Sequence, residues 1–211
     1  ANTREGGAIR VKGVPDMAVT LAQVAHAVAG TPGYALPGGI SPGMEATSNF
    51  VTDALAYCNG CHVCEVEVDP ETGGVKILGY AVVHDSGTLI HPDIVTGQVQ
   101  GGTAHGIGNA MFEWMGYDAD ANPITTNFAD YLLPAAPEIP NFKIILNESP
   151  SPLNPIGVKG AGEGSTVPAA AAVVSAIEDA LQPFGVHISE APIGPVRIVE
   201  LIAQARRPKA D

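Results

Sequence analysis

The sequence has little positive charge and few aromatic side chains. Lysine and arginine total 10 against 22 aspartate and glutamate residues, so the formal net charge is -12, and aromatic residues make up 5% of the chain. Because so acidic a surface repels phosphate backbones and anionic lipid headgroups, nucleic acid is not expected as a partner.

Long apolar runs are also missing. No run approaches the roughly 20 apolar residues that a helix needs to cross a bilayer. The first residues, Ala1 to Gly7, lack the basic stretch and apolar core of a secretory signal. The chain begins with Ala1 rather than Met, so we expect the natural start to lie elsewhere. These absences favour a soluble protein with no membrane partner. The cytoplasm is the default location, since unpaired cysteines persist more easily in a reducing compartment.

Cysteine is scarce and confined to one place. The three cysteines are Cys58, Cys61 and Cys64, and an odd number this close together argues against a disulfide framework. Their spacing is similar to part of an iron-sulfur signature, which leaves an Fe-S redox protein as an alternative. However, the sequence holds no fourth cysteine, and Cys64 falls on the apolar side of an alternating strand. We therefore favour the interpretation that the three cysteines are small, buried hydrophobic residues.

Glycine, proline and apolar residues are abundant. The 211 residues are 45% hydrophobic and include 25 glycines and 18 prolines, which is enough for a core connected by shaped loops. In residues 1–50 we expect a strand at Gly7 to Val11, a helix at Thr20 to Gly30 with Thr20 and Gln23 as a capping-box pair, and a Gly/Pro-rich connection at 31–49. Residues 51–211 are predicted to form a second, larger domain.

The second domain is predicted to be α+β. Residues His62 to Asp69 alternate in polarity and Val75 to Val83 return as an apolar strand, which predicts a hairpin. A helix with several glycines is expected from Ile94 to about Trp114, and another strand at Phe142 to Asn147. Two further helices are predicted at Pro168 to Leu181, with Thr166 as the cap, and at Pro195 to Ala205. Because no βαβ alternation is sustained, we predict a mixed sheet with a hairpin and packed helices.

A glycine loop at residues 157–164 precedes the Pro168 helix. It combines flexible backbone, the cation Lys159 and the carboxylate Glu163, which is flanked by Gly162 and Gly164. Glycines let backbone approach a ligand, and the start of a helix attracts negative charge. The loop matches neither the Walker nor the dinucleotide fingerprint. From the residues alone, an ordinary helix-capping turn is the stronger interpretation.

Three blocks of the sequence, in order, resemble one family. Residues 154–163, Asn-Pro-Ile-Gly-Val-Lys-Gly-Ala-Gly-Glu, are followed by an Ala-rich helix, and residues 62–92 and 97–108 lie upstream. Together they are similar to the C-terminal part of the molybdopterin-binding large subunit of the xanthine dehydrogenase, aldehyde oxidoreductase and carbon monoxide dehydrogenase family, the molybdenum hydroxylases. The resemblance implies the fold of that subunit's second molybdopterin-binding domain.

The resemblance also implies a catalytic role for Glu163. In that family the corresponding carboxylate deprotonates a metal-bound hydroxyl, which attacks an aldehyde, an N-heterocycle or carbon monoxide. A carboxylate suits this task because a metal acidifies the oxygen that it binds. The molybdenum is held by the pterin, so no metal ligand is expected from this chain.

Gln98 is implied as a contact to the pterin, because a primary amide both donates and accepts hydrogen bonds. A buried glutamine that satisfies backbone groups is the alternative, and Gln100 is a weaker candidate. The other predicted cofactor-binding residues are Gly97, Gly101, Gly160, Gly162 and Lys159. Lys159 is equally compatible with a solvated loop or an ion pair. The isolated histidines, including His62, His84, His91 and His105, are expected to be hydrogen-bonded structural or surface residues.

The expected cofactor is molybdenum-molybdopterin, with the cytosine dinucleotide form left open. The implied partners are the rest of the large subunit, an Fe-S small subunit, an FAD-containing medium subunit and a small-molecule substrate. Since the family's large subunit is longer than this chain, we expect the chain to supply only part of an active site. A folded, non-catalytic assembly module is the competing hypothesis.

Overall fold

A computed structural model describes residues 2–5, 7–30, 36–52 and 54–206 of the chain. It forms two compact units, Ala1–Val51 and Thr52–Asp211. In the first unit, β1 (Asn2–Glu5), β2 (Ala8–Val11) and β3 (Val14–Thr20) make an antiparallel sheet in chain order. The strand predicted near Val11 is β2.

Helix α1 (Leu21–Val28) follows β3 directly. Its capping box is formed as predicted, since the Thr20 hydroxyl accepts the Gln23 backbone N–H at 3.1 Å and the Gln23 side-chain Oε1 accepts the Thr20 N–H at 2.8 Å. Of the Gly/Pro-rich segment predicted at 31–49, residues 31–35 lie outside the described residues. Residues 37–52 are all exposed and contain neither a helix nor a strand.

The second unit is built on a sheet of β4 (Asn59–Val68), β5 (Val75–Asp85) and β6 (Phe142–Leu146). The predicted hairpin is confirmed, with β4 antiparallel to β5, and β6 adds to β5 in parallel. The partly buried side chains of β4 alternate with exposed ones, as its sequence pattern requires. The mixed sheet with packed helices confirms the α+β prediction.

Three helices accompany this sheet: α2 (Pro92–Met111), α3 (Thr166–Ala180) and α4 (Pro195–Ala205). Short 3-10 turns lie at Ala136–Glu138 and Gln182–Phe184. The core draws on both layers, and its fully enclosed members include Val82, Val99, Ile107, Val173, Ile177 and Ile198. Within the described ranges, no helix is long and apolar enough to traverse a bilayer.

Helix α2 runs unbroken through five glycines. Its N-cap is His91, whose Nδ1 accepts the Ile94 N–H at 3.3 Å. A Cβ on Gly106 would overlap Ala169 and approach the Thr166 carbonyl oxygen to 3.1 Å. Close packing on α3 therefore explains this glycine. By contrast, a Cβ on Gly97 or Gly101 would meet nothing within 4 Å.

Helix α3 begins two residues before the proline that was predicted to start it. Thr166 is already its first helical residue and Ser165 is the N-cap, so the predicted Thr166 cap is wrong by one position. The reason is that the backbone carbonyl of Glu163 accepts the N–H groups of Thr166 and Val167, at 3.0 and 3.3 Å. The glycine loop thus supplies the cap with its backbone rather than with a side chain.

Candidate functional site

The fold brings the glycine loop against the first half of α2. A Cβ built on Gly162 would lie 3.7 Å from Nε2 of Gln98, so the two predicted site residues are neighbours although 64 positions separate them in the sequence. Gln98 is exposed, and no hydrogen bond within the described part of the chain involves its amide. The alternative of a buried glutamine that satisfies backbone groups is therefore wrong.

Glu163 is fixed by its backbone and free at its carboxylate. Its carbonyl oxygen caps α3, while its side chain is exposed and has neither a hydrogen bond nor an ion pair with the residues that the structure describes. A carboxylate at the start of a helix lies near the positive end of the helix dipole. The geometry leaves this group available to a ligand or a proton.

Lys159 is committed to a partner inside the chain. Its Nζ donates to Oδ2 of Asp85 at 2.8 Å, and both side chains are 11% exposed. Burial raises the pKa of Asp85, but hydrogen bonds from Lys159, Gly87 N–H and Ser149 N–H outweigh it and hold the pKa below its ordinary value. Of the two roles left open for Lys159, the ion pair is the observed one. Contact with a cofactor stays a prediction for this residue.

Backbone hydrogen bonds hold the rest of the loop. The Lys159 N–H donates to the Ser86 carbonyl at 2.8 Å, the Gly160 N–H to the Ala56 carbonyl at 2.9 Å, and the Thr88 N–H to the Gly157 carbonyl at 3.0 Å. These bonds connect residues 157–160 to the segment that follows β5 and, through Ala56, to the segment that precedes β4. The loop is therefore a fixed structure rather than an open strap.

The glycines of the site divide by environment. Gly97 and Gly101 are one helical turn apart on an exposed part of α2 where a Cβ would meet nothing, whereas Gly102 and Gly106 pack on the start of α3. Gly160 and Gly162 are exposed in the loop. All four predicted cofactor-binding glycines are thus exposed, and of these Gly160 already donates its N–H to Ala56. A ligand could approach closely there.

His84 was not predicted as part of the site, yet it lies beneath the glycine loop. Its side chain is fully buried, and among the described residues neither ring nitrogen has a hydrogen-bond partner. The expectation of a hydrogen-bonded or surface histidine is therefore wrong for His84. It holds for His62, whose Nδ1 lies 2.9 Å from the Tyr80 hydroxyl, and for His91, which caps α2. The sequence signal for His84 was its place near the end of a mostly apolar strand.

The cysteines do not converge on one point. Cys61 is exposed on β4, whereas Cys64 is partly buried on the other face of that strand, where burial raises the pKa of its thiol to about 11. Cys58 precedes the strand. No group of three or more His, Cys, Asp or Glu side chains with metal-binding geometry occurs in the described ranges.

The side chains present suit a large organic ligand better than a directly coordinated metal. An exposed amide on Gln98, open backbone at Gly97, Gly101 and Gly162, and the free carboxylate of Glu163 all lie on or beside the contact of α2 with the loop. Such a set can hydrogen-bond the edge of a heteroaromatic group. The fold and this site together define an α+β cofactor-binding module.

Comparison with known proteins identifies the module. Residues 2–140 match the family described as "Molybdopterin cofactor-binding domain", and the chain belongs to that family. It is 41% identical over 195 residues to the nicotine 6-hydroxylase large subunit of Paenarthrobacter nicotinovorans, covering 92% of this chain and 24% of that protein. It is 34% identical over 171 residues to the carbon monoxide dehydrogenase large chain of Afipia carboxidovorans, covering 81% and 21%.

A solved structure agrees with the assignment. Quinoline 2-oxidoreductase from Pseudomonas putida 86 superposes with a TM-score of 0.87 at 38% identity, over 98% of this chain and 26% of that one. The chain thus spans about a quarter of the length of the relatives it matches. The similarity to large subunits of molybdenum hydroxylases, expected from the three sequence blocks, is confirmed.

Proposed function

We propose that this chain forms part of the active site of a molybdopterin-dependent hydroxylase or dehydrogenase, with Glu163 as the catalytic base. The observation that carries the proposal is the free, exposed carboxylate of Glu163 next to Gly162, which lies near the equally free amide of Gln98. The proposed base and the proposed cofactor contact would then be near neighbours, with the Glu163 backbone held by hydrogen bonds from α3.

Gln98 would hold the pterin through its amide, and Gly97, Gly101, Gly160 and Gly162 would let the cofactor lie close to backbone. The matched family range, 2–140, includes the α2 members of this set. Open space over two successive turns of α2, at Gly97 and Gly101, supports room for an extended cofactor such as the cytosine dinucleotide form. Lys159 would support cofactor binding indirectly, by holding the loop, because its ammonium group is bound to Asp85.

The cofactor, when bound, would supply a Lewis-acidic centre that accepts two electrons. Glu163 would accept a proton at its carboxylate from the attacking hydroxyl group, which makes that group a better nucleophile. The Glu163 backbone cannot swing away during this step, because its carbonyl oxygen is bound by two N–H groups of α3. Such fixed placement is what general base catalysis requires.

An N-heterocycle is the substrate class we favour. The relatives named for nicotine and quinoline share 41% and 38% identity with the chain, against 34% for the carbon monoxide dehydrogenase large chain. Nicotine and quinoline are both N-heteroaromatic compounds, whose ring carbons next to nitrogen are electron-poor. An aldehyde or carbon monoxide would be the substrate if the assembled enzyme ignored such rings.

The remaining components of the enzyme belong to the proposal as well. Several relatives are named as large subunits, large chains or a complex subunit, which supports assembly with further polypeptides. We propose that these are the rest of the large subunit, an Fe-S subunit and an FAD subunit, in the cytoplasm. They would carry away the electrons that substrate oxidation releases.

Replacement of the base in the assembled enzyme tests the proposal. Glu163→Gln keeps the shape of the side chain and removes its basicity, so kcat should fall by about 100-fold or more while molybdenum content is unchanged. Glu67→Gln is the matched control, because Glu67 is exposed on β4 and no hydrogen bond or ion pair within the described residues involves it. Full activity in Glu163→Gln would refute the assigned role.

A further inference from the structure

The buried ring of His84 is in contact with the glycine loop from below. A Cβ built on Gly164 would lie 2.6 Å from Cε1 of His84 and 2.5 Å from Sγ of Cys58. A thiol can rotate away, but a fully buried ring within a paired strand cannot. Since Gly164 does not have a positive φ, its need for glycine comes from this close approach rather than from backbone conformation.

The backbone of His84 is itself held on both sides. It lies in β5 opposite Gly60 of β4 and next to Leu146 of β6, and its carbonyl oxygen accepts the Asn147 N–H at 2.9 Å. The ring therefore extends from one of the most constrained positions of the sheet. The backbone at Gly164, which packs on this ring, is therefore held against a rigid surface.

The next residue along β5, Asp85, holds the part of the loop that precedes Glu163 in the sequence. Asp85 binds Lys159, four residues before Glu163, at 2.8 Å, while the His84 ring meets Gly164, the residue directly after it. Two consecutive residues at the end of one strand thus fix the loop before and after the carboxylate. Neither touches the exposed Glu163 side chain through a hydrogen bond or ion pair.

We propose that His84 is a positioning residue, whose ring holds the backbone at Gly164 and thereby sets where the Glu163 carboxylate lies. The proposal rests on the catalytic role of Glu163. The contact is made by the ring edge at Cε1 and not through a hydrogen bond, since neither nitrogen is bonded within the described chain. Burial lowers the pKa of His84 more than the Asp85 carboxylate raises it, which favours the uncharged ring.

Two variants of the assembled enzyme show whether His84 acts through the shape of its ring or through its ring nitrogens. His84→Ala removes the support, and we expect kcat to fall about tenfold or more with KM changed less than threefold. His84→Phe keeps a planar ring and removes both nitrogens, so it should recover most of kcat. Val82→Ala, a fully buried neighbour two residues earlier in β5, controls for a cavity in the same strand and should keep kcat within about twofold. A His84→Phe enzyme as defective as His84→Ala would overturn the proposal.

A second variant approaches the same contact from the loop. Gly164→Ala adds the methyl group that collides with the His84 ring, so it should also lower kcat with little change in KM. Hydrogen exchange gives a readout that is independent of turnover: the amides of residues 157–167 should exchange faster in His84→Ala than in Val82→Ala. Unchanged exchange in residues 157–167 of His84→Ala would contradict the inference. A normal kcat for Gly164→Ala would also contradict it, and that value can be measured even if His84→Ala does not assemble.

A double-mutant cycle with Glu163→Gln separates this inference from the proposed function. If His84 acts through Glu163, the effect of His84→Ala on kcat disappears when Glu163 is already glutamine. Equal effects of His84→Ala in both backgrounds would refute the positioning role while Glu163 remained the base. Full activity of Glu163→Gln alone would instead refute the proposed function.

Discussion

Asp85 and Lys159 form an ion pair on which the glycine loop depends. Both side chains are 11% exposed, and the carboxylate also accepts the N–H groups of Gly87 and Ser149. Lys159→Met removes the cation and leaves a mostly buried carboxylate with only backbone donors. Because breaking one side of such a pair is costly, we expect the free energy of unfolding to fall by about 3 kcal/mol. Urea denaturation would measure this loss, and a change below about 0.5 kcal/mol would contradict it.

The same pair gives the chain an acid-sensitive contribution to stability. The pKa of Asp85 is lower in the folded chain than its ordinary value, so the unfolded chain binds the proton more readily. Its stabilisation is therefore complete above the ordinary carboxyl pKa of about 3.9 and is lost as the pH falls through the lower folded pKa. Asp85→Asn should remove this part of the pH dependence. Denaturation midpoints of both chains between pH 2 and pH 6 would show whether the curves converge in acid.

Helix α2 offers a matched pair of glycines at the scale of one element. A Cβ on Gly106 would overlap Ala169, whereas one on Gly101 would meet nothing within 4 Å. Gly106→Ala should therefore destabilise the chain by about 1 to 3 kcal/mol through overpacking. Gly101→Ala should stabilise it by up to about 1 kcal/mol through helix propensity. Thermal unfolding of the two variants checks both signs, and equal shifts would refute the division of the helix into a packed and an open side.

Gly101→Ala also bears on the cofactor. If a ligand lies against that turn of α2, the added methyl group should reduce the molybdenum retained by the assembled enzyme although the chain itself becomes more stable. Val199→Ala, a change at a partly exposed position on α4, serves as the reference for an enzyme with normal content. Full molybdenum occupancy in Gly101→Ala would remove that glycine from the set of cofactor-binding residues.

Strand β4 separates the cysteines that an Fe-S cluster would need to share. Cys61 and Cys64 lie on opposite faces of the strand, because side chains alternate along it. We therefore expect the purified chain, treated anaerobically with iron and sulfide, to retain no stoichiometric iron. A Cys61→Ser variant gives the background level. Iron that stays bound through desalting, with thiolate-to-iron absorption lost in that variant, would favour the redox alternative.

Local patterns predicted the elements, while contacts between distant residues escaped prediction. The hairpin of β4 and β5 and the Thr20 cap were predicted because alternation and the capping box are read from adjacent residues. Strand β3 was missed because Pro15 and Asp16 argue against a strand. The parallel pairing of β6 on β5 joins residues about 60 positions apart, and no local pattern fixes such a pairing.

The candidate site shows the same limit. Glu163 and Gln98 were singled out through sequence blocks that resemble a family, and the proximity of Gly162 to Gln98 is the new structural information. His84 escaped because a lone histidine carries no motif, and its place beneath Gly164 follows only from the sheet. The Lys159 role left open by the sequence was decided by Asp85, 74 residues away.

At the scale of the whole molecule, the two compact units differ in how much core they bury. In the first unit Ala8 is the one buried residue among those whose burial is described, and α1 buries none. The second unit contains the apolar cluster that includes Ile107, Val173 and Ile198. Because stability grows with buried apolar surface, the second unit should carry nearly all of the cooperative unfolding transition.

Limited proteolysis of the chain tests this difference. Residues 37–52 are all exposed and belong to no helix or strand, and such backbone is the preferred site of cleavage. Brief treatment with a broad-specificity protease should therefore cut first between residues 37 and 52 and leave a fragment of the second unit that resists further digestion. Mass spectrometry would locate the cut, and calorimetry of the fragment should show an unfolding midpoint within a few degrees of that of the whole chain. First cleavage inside β4, β5 or α2 would contradict the greater stability of the second unit, and a fragment that no longer unfolds cooperatively would show that the second unit needs the first to complete its fold.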